Sequence, residues 1–489
     1  MFKSISSKVQ RDKDFPQRQF DIDVLTRVIK GKLYDCLQHD FNQEREDGTG
    51  KYIPLRERRP SVRYALCKIV VDDSVSLLFS EGHFPSVNCA DEKTRDSLSS
   101  LIEETNLNEV MIEAATTGSV GSAAILMRVL SKRVFFSVFN TMYLTPVWKK
   151  DAPDTLEKVI EKYKVKGEVL KAQGYDGIDS DSSDYWFQRE WDEVAETWYQ
   201  PWKVVGAEKD FTPKIDDKNT TTHSLGFVPI VWVKNLPGGD DIDGACTFPT
   251  EVIDTQIEID YQLSQGGRGL KYSSDPLMMI KNPAGADTGS MVKGAGNALV
   301  VSEDGDAKLL EINGTACEAV INYVRCLREM ALESAHGNRT SADKIAAAQS
   351  GRAMELMNLA LVNLADRLRI SYGQGALLNL LRMIVKASAK VEITTDGQAI
   401  GELSQKDKVT LRWPQWYAPT YADKLTESQT LVDLRTAGLL SFDTSVKTLA
   451  SNYDIADPQE EMKLIEAKPF VPPAAPVSEP KEPLSNSED

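Results

Sequence analysis

Four histidines, His39, His83, His223 and His336, could each ligate a metal or move a proton if a suitable partner stood at the right spacing. None shows the spacing of a metal site or of a catalytic triad. Six cysteines (Cys36, Cys67, Cys89, Cys246, Cys317 and Cys326) are scattered without a C-x-x-C pair, which reads as free thiols in a reducing cytoplasm. GGRGLK at 266 and GAGNAL at 294 look like phosphate loops, yet neither gives G-x-x-x-x-G-K-[ST], and the second lacks the third glycine of a dinucleotide fingerprint. In YDGIDSDSSDYWFQRE a calcium-loop count from Asp179 puts Glu190 at the twelfth position but Asp184 at the sixth, where the turn demands glycine. That stretch reads as a solvated acidic loop, with weak cation binding by residues 176–184 as the other reading. Asn219-Thr220-Thr221 is a glycosylation sequon of no consequence in a cytoplasmic chain. The sequence therefore offers no catalytic residue, no metal ligand and no cofactor site.

With 489 residues the chain predicts two to four subdomains. Its net charge of −16 argues against a tight electrostatic grip on DNA, except where a local patch supplies the cations. No apolar run reaches the ~18 residues of a membrane span. The opening MFKSISSKVQRDKDF lacks the apolar stretch of a signal peptide.

Periodicity places the elements. A helix is expected within 21–37, and another through Val70, Val71, Val75, Leu77 and Leu78; residues 100–118 read as a third. AAILMRVLSKRVFFSVFNTMYLTPVW and the stretch 185–235 read as strands. FPTEVIDTQIEIDYQLSQ is helical, with Ile253, Ile257 and Tyr261 four apart and Gly266-Gly267 as its expected end. Short strands follow in 273–312. Thr315 and Glu318 have capping-box spacing ahead of the stripe Val320, Val324, Leu327, Ala331, which predicts a helix over 315–335. His336-Gly337-Asn338 breaks that helix. The strongest apolar series, Met354, Met357, Leu361, Leu364 and Leu368, then opens a helix that could run, bent near Gly373 and Gly375, to about Lys390, some ~60 Å at 1.5 Å per residue. Helices return after WPQWYAPTY, and the proline-rich last residues read as a disordered tail.

Several phrases in this order resemble the portal proteins of tailed double-stranded DNA bacteriophages. RRPSVRYALCKIVVDDSVSLLFSEGHFPSV is similar to the family's early segment, and GFVPIVWVKNLP to the strand before its first stem helix. FPTEVIDTQIEIDYQLSQ resembles that stem helix. QSGRAMELM resembles the start of the long helix after the tunnel loop, and LRTAGLLSFDTSVKTLA with DPQEEMKLIEA resembles the crown helices. The likeness runs from about residue 50 to 466.

The resemblance implies an α+β, portal-type subunit with an α/β wing, a two-helix stem, a small α/β clip, a long wing helix and a helical crown. By position these are an N-terminal segment at 1–49, wing at 50–245, stem helices at 246–272 and 315–335, and clip at 273–314. A tunnel loop at 336–350, the long helix and remaining wing at 351–420, the crown at 421–466 and the tail at 467–489 complete the chain. It implies a homo-oligomeric ring, a dodecamer in the virion, at one capsid vertex, with double-stranded DNA in the central channel. The implied partners are the terminase, the major capsid or scaffolding protein and a head–tail adaptor, with assembly in the host cytoplasm and no membrane. Asn338, Arg339, Thr340, Ser341 and Lys344 fall where the tunnel loop faces DNA, and Arg339 and Lys344 are its cations. Two other readings fit the lack of an active site: another virion component such as an adaptor, for which the chain is long, or a cytoplasmic enzyme without a recognisable motif.

Overall fold

The computed structural model describes residues 1–204, 212–274, 277–283, 301–310, 315–337, 351–417, 420–450, 453, 455 and 458–467. The chain divides into two compact units, Met1–Thr340 with Asn358–Trp416, and Ser341–Met357 with Tyr417–Asp489. Among the described residues helices alternate with antiparallel strands, and the one parallel pair joins the two-residue strands His39–Asp40 and Arg58–Arg59, an α+β arrangement.

In the first unit the central helix is α1 (Leu66–Phe79), apolar nearly all round, with Leu66, Cys67, Val70, Val71, Leu78 and Phe79 fully buried. Such a helix must lie inside a core. The helix expected at 100–118 is two helices: Asn106 takes a left-handed φ of 47° between Glu92–Glu104 and α2 (Leu107–Gly118). Asparagine tolerates that conformation better than most residues. Likewise the helix expected over 21–37 stops at Ile29, before Gly31 at φ 66°, and a short 3-10 turn covers Leu33–Cys36. Residues 1–49, which the resemblance leaves aside, supply Ile5, Ile22, Val28, Leu33, Tyr34 and Phe41 to the main core.

β1 (Ser122–Leu130) and β2 (Arg133–Asn140) form a hairpin closed by Ser131 and Lys132, with φ of 50° and 67°. Two positive φ values in a two-residue turn match the twist of the strands. After β3 (Leu144–Trp148) come β4 (Leu156–Lys166), β5 (Asp184–Trp191), β6 (Ala195–Trp198) and the two-residue β7 (Thr221–Thr222). These pair in sequence as one antiparallel sheet, while β8 (Ile230–Lys234) returns to pair with β1. The alternation of β1 serves two cores: Ala123, Ile125 and Met127 face the helices, whereas Ala124 and Leu126 face the second sheet with Leu144, Val159, Trp191 and Ile230.

The helix after Asn358 is α5 in chain order. It follows α3 (Thr250–Ser274), β9 (Leu277–Pro283), β10 (Val301–Leu310) and α4 (Thr315–Ser334), with β9 and β10 antiparallel. α5 (Leu359–Leu368) runs through a π-helical stretch, Arg369–Leu377, into α6 (Leu378–Ser388). The bend expected at Gly373 and Gly375 is this widened turn. A Cβ on Gly373 would collide with the Trp413 ring, so glycine admits the indole here. One residue earlier the buried Tyr372 hydroxyl donates to Asn235 Oδ1 at 3.1 Å, and Asn235 Nδ2 donates to Ala245 O (2.8 Å) and Thr247 Oγ1 (2.9 Å). Gly118 has no side chain because a Cβ would occupy the Tyr372 hydroxyl position.

The second unit contains the helix Gly351–Met357, α7 (Tyr421–Thr436), α8 (Phe442–Ala450) and α9 (Pro458–Ala467). Thr420 and Asp423 form a reciprocal capping box at the start of α7. The Ser441 hydroxyl accepts from Thr444 N–H at the start of α8.

Candidate functional site at the paired helices

α3 is fixed by two adjoining faces. Val252, Ile253, Ile257 and Ile259 are buried in the main core. Among them Gln256, Asp260 and Ser264 repeat every fourth residue, one stripe on a helix, and meet the chain where it enters α1, from Val62 to Cys67. Gln256 Oε1 accepts from Cys67 N–H at 2.9 Å, Asp260 Oδ1 accepts from Tyr64 N–H at 2.5 Å, and Ser264 Oγ accepts from Val62 N–H at 3.0 Å. Asp260 Oδ2 also accepts from the Tyr34 hydroxyl at 2.6 Å. Burial pushes the Asp260 carboxyl up to about 6 against the pull of the Tyr34 and Tyr64 bonds and of Arg63. Burial and the nearby Asp260 carboxylate together raise the Tyr34 hydroxyl well above its ordinary range. The sequence reading missed this polar stripe, although its i, i+4, i+8 spacing is visible in QIEIDYQLS.

α3 does not end at Gly266-Gly267 as expected; it continues to Ser274. A Cβ on Gly266 would lie 3.1 Å from Val320 Cγ1 of α4, so this glycine serves close approach of the two helices and not termination. On α4 the anticipated stripe turns inward: Val324 and Leu327 are half-buried against the main core and Ala331, Leu332 and Ala335 are buried. The two flanks of α4 beside that stripe are also apolar in part. Ile321 and Tyr323 are each 46% exposed and Met330 60%, and Leu270 of α3 is 50% exposed.

α4 ends at the break expected at His336-Gly337-Asn338, and it does so on a left-handed His336 (φ 54°). Gly337 N–H donates to Leu332 O at 2.8 Å and His336 N–H to Glu333 O at 3.4 Å, the paired bonds of a Schellman cap. Gly337 is buried with Leu332 and Val70 so near that a Cβ would stand 2.8 Å from Leu332 Cδ2 and 3.2 Å from Val70 Cγ2. The point at which the chain leaves α4 is therefore fixed. Asn338, Arg339, Thr340, Ser341 and Lys344 lie outside the described residues.

Several of the remaining sequence candidates have local partners. In the acidic loop Asp181 pairs with Lys171 at 2.7 Å and Asp184 with Lys166 at 2.9 Å, while the Tyr185 hydroxyl accepts from the amides of Asp179 and Ser180. His83 joins Ser80 Oγ (2.8 Å) to the Trp416 carbonyl (2.9 Å). His223 donates from Nε2 to Asp192 O and accepts at Nδ1 from Leu225 N–H, and its burial lowers its pKa. Among the described residues no group of three His, Cys, Asp or Glu could hold a metal ion. No helix among them is long and apolar enough to cross a membrane.

Residues 13–468 match the family model described as "Phage portal protein, SPP1 Gp6-like". No curated protein matches the chain. Among solved structures it is similar to a chain of the "Virion of native gene transfer agent (GTA) particle", at 12% identity and a TM-score of 0.37, covering 79% of this chain and 88% of that one. It is also similar to a chain of the "Neck of empty GTA particle computed with C6 symmetry", at 11% identity and a TM-score of 0.39 with the same coverage.

Proposed function

Because the chain belongs to the phage portal protein family, we propose that its copies close into a ring of twelve at one capsid vertex, through which double-stranded DNA is packaged and later ejected. The observation that carries the ring is α4: one apolar stripe is covered within the subunit, while its two flanks, Ile321 on one and Tyr323 with Met330 on the other, remain exposed, as a subunit with a neighbour on either side requires. A repeated heterologous contact that buries such a face generates a closed ring when its rotation closes.

In this reading α3 and α4 are the stem, β9 and β10 belong to the clip, the sheets and α1, α2, α5 and α6 make the wing, and α7 to α9 make the crown. The rigid cap at His336-Gly337 launches the tunnel loop, whose Asn338, Arg339, Thr340, Ser341 and Lys344 line the channel. The surplus of acid over base, 73 against 57, keeps DNA sliding, because the wall supplies few cations to displace the counterions condensed on the phosphates. Arg339 and Lys344 supply brief, salt-sensitive contacts to passing phosphates. Terminase docks on the ring during packaging, head–tail adaptors afterwards, and capsid or scaffolding protein surrounds the wing in the host cytoplasm.

Twelve chains of 54.3 kDa give a particle of about 650 kDa by multiplication. Mass photometry should find it, and a stable monomer or dimer across a wide concentration range would end the reading. Replacing Arg339 and Lys344 together by alanine should leave rings intact but shorten or slow DNA packaging. Full-length packaging at the normal rate would make the loop a passive spacer.

A further inference from the structure

Between the two sheets of the first unit the second core opens at one end into a cavity of about 700 Å3. Its wall contains an unfinished strand edge. β8 pairs with β1 only as far as Leu126, opposite Ile230, and the last bond on that side is Met127 N–H to Pro229 O at 2.8 Å. On the other side of β1 the tight turn pairs Leu130 with Arg133 and Arg128 with Phe135. An antiparallel ladder alternates bonded and non-bonded pairs, so Val129 directs its N–H and C=O away from β2, to the side that β8 has already left. The next backbone group taken is the Lys132 carbonyl, by Thr394 N–H at 2.8 Å. Pro229 and Val391 stand at the two ends of this gap, and both line the cavity with Val129.

Trp191 supplies an independent sign. It is fully buried, lines the same cavity, and its indole Nε1–H has no acceptor among the described residues. A buried donor left unpaired is costly, and natural structures rarely keep one without a use. The charges nearby are already balanced: Arg128 bonds Glu196 at 2.8 Å, and Arg189 bonds Glu161 and reaches Glu196 at 3.5 Å. Leu126 and Leu225 complete an apolar interior. The wall thus asks for an uncharged occupant that brings apolar bulk, a backbone edge and a carbonyl.

We propose that this cavity is a docking site for a short, uncharged, extended segment of a partner polypeptide. The segment extends the sheet at Val129 by strand addition, places one bulky apolar side chain in the cavity, and offers a carbonyl to Trp191 Nε1. Main-chain pairing supplies register and the cavity supplies selectivity for the side chain.

Saturation-transfer NMR suits weak ligands of a large particle, and the assembled full chain is the receptor. The probe is acetyl-Thr-Phe-Thr-amide, with acetyl-Thr-Ala-Thr-amide and a form N-methylated at phenylalanine as comparisons. The phenylalanine probe should give ring-proton saturation that the alanine probe loses, and N-methylation should weaken binding about fivefold, as expected for one hydrogen bond. Trp191→Phe should weaken the phenylalanine probe by a similar factor while keeping its preference over alanine. Leu225→Trp, which fills the cavity, should abolish the signal, and Val391→Trp is the second filling variant if the first fails to assemble. The proposal falls if the phenylalanine probe gives no saturation at millimolar concentration, if both filled variants bind as the native chain does, or if the N-methylated probe binds equally well.

Discussion

Replacing Asp260 by asparagine should stabilise the first unit at neutral pH and flatten its pH dependence in mildly acidic buffer. The folded carboxyl titrates near 6 against 3.8 for an unperturbed aspartate, because burial between α3 and the 62–67 segment removes it from water. Between those two values the folded state keeps a proton that the unfolded state has lost. Stability is therefore highest below about 4, falls as pH rises toward 6, and carries the full cost above it. Two units correspond to about 3 kcal/mol at 1.36 kcal/mol per unit. Asparagine fits the same partners: its Oδ1 can accept from Tyr64 N–H, and its Nδ2 can donate to the Tyr34 hydroxyl, which accepts as readily as it donates. The variant should gain about 1–3 kcal/mol at pH 8, and that advantage should shrink by about 2 kcal/mol at pH 4.5. Urea denaturation followed by tryptophan fluorescence, with both chains at matched ionic strength, reads the difference and cancels the other carboxylates. Parallel stability curves for the two chains between pH 4.5 and 8 would refute the assignment of Asp260 as a buried carboxyl with a raised pKa.

Asn235→Ala strands the Tyr372 hydroxyl, the Ala245 carbonyl and Thr247, so thermal denaturation should show a loss of about 3 kcal/mol, against about 1 kcal/mol for Tyr372→Phe. Gly266→Leu should push α3 from Val320, costing about 1–3 kcal/mol and lowering the ring fraction in mass photometry. Gly267→Ala is the matched control: nothing stands within 4 Å of the new methyl, and helix propensity should give a gain of up to about 1 kcal/mol in the same denaturation assay. Deleting residues 468–489 should leave melting temperature and ring formation unchanged, since six prolines among few apolar residues bury too little area to offset their ordering.

Periodicity by itself determined the kind of element at most places in this chain. The Val320, Val324, Leu327, Ala331 stripe is the inward side of α4, and the apolar run through Val70 to Leu78 is the buried α1. These signals are local: a 3.6-residue repeat has one stable use when its apolar side must leave water. The order of phrases also sufficed to identify the family. For a DNA-facing site the sequence offered only an expectation, Asn338 to Lys344, which the family resemblance implies and which lies outside the described residues.

Tertiary structure decided what depends on residues far apart in the chain. Gly266-Gly267 looks like a helix end until Val320 lies 3.1 Å from the missing Cβ, and then the same glycine is what lets α3 continue past α4. Asp260 looks like one more surface acid in an acidic chain. Its burial follows from Tyr34 and Tyr64, about two hundred positions earlier. Residues 1–49 carried too weak a pattern to be assigned a role, yet Ile22, Val28 and Tyr34 belong to the main core because α1 and α3 leave an apolar surface that these side chains cover. Val129 and Trp191 show the same limit. A strand residue and a tryptophan are ordinary in a β-rich stretch, and only the early end of β8 and the lack of an acceptor for the indole among the described residues mark them as open. Local sequence fixes which residues want to leave water; the fold decides which other residues they meet when they do.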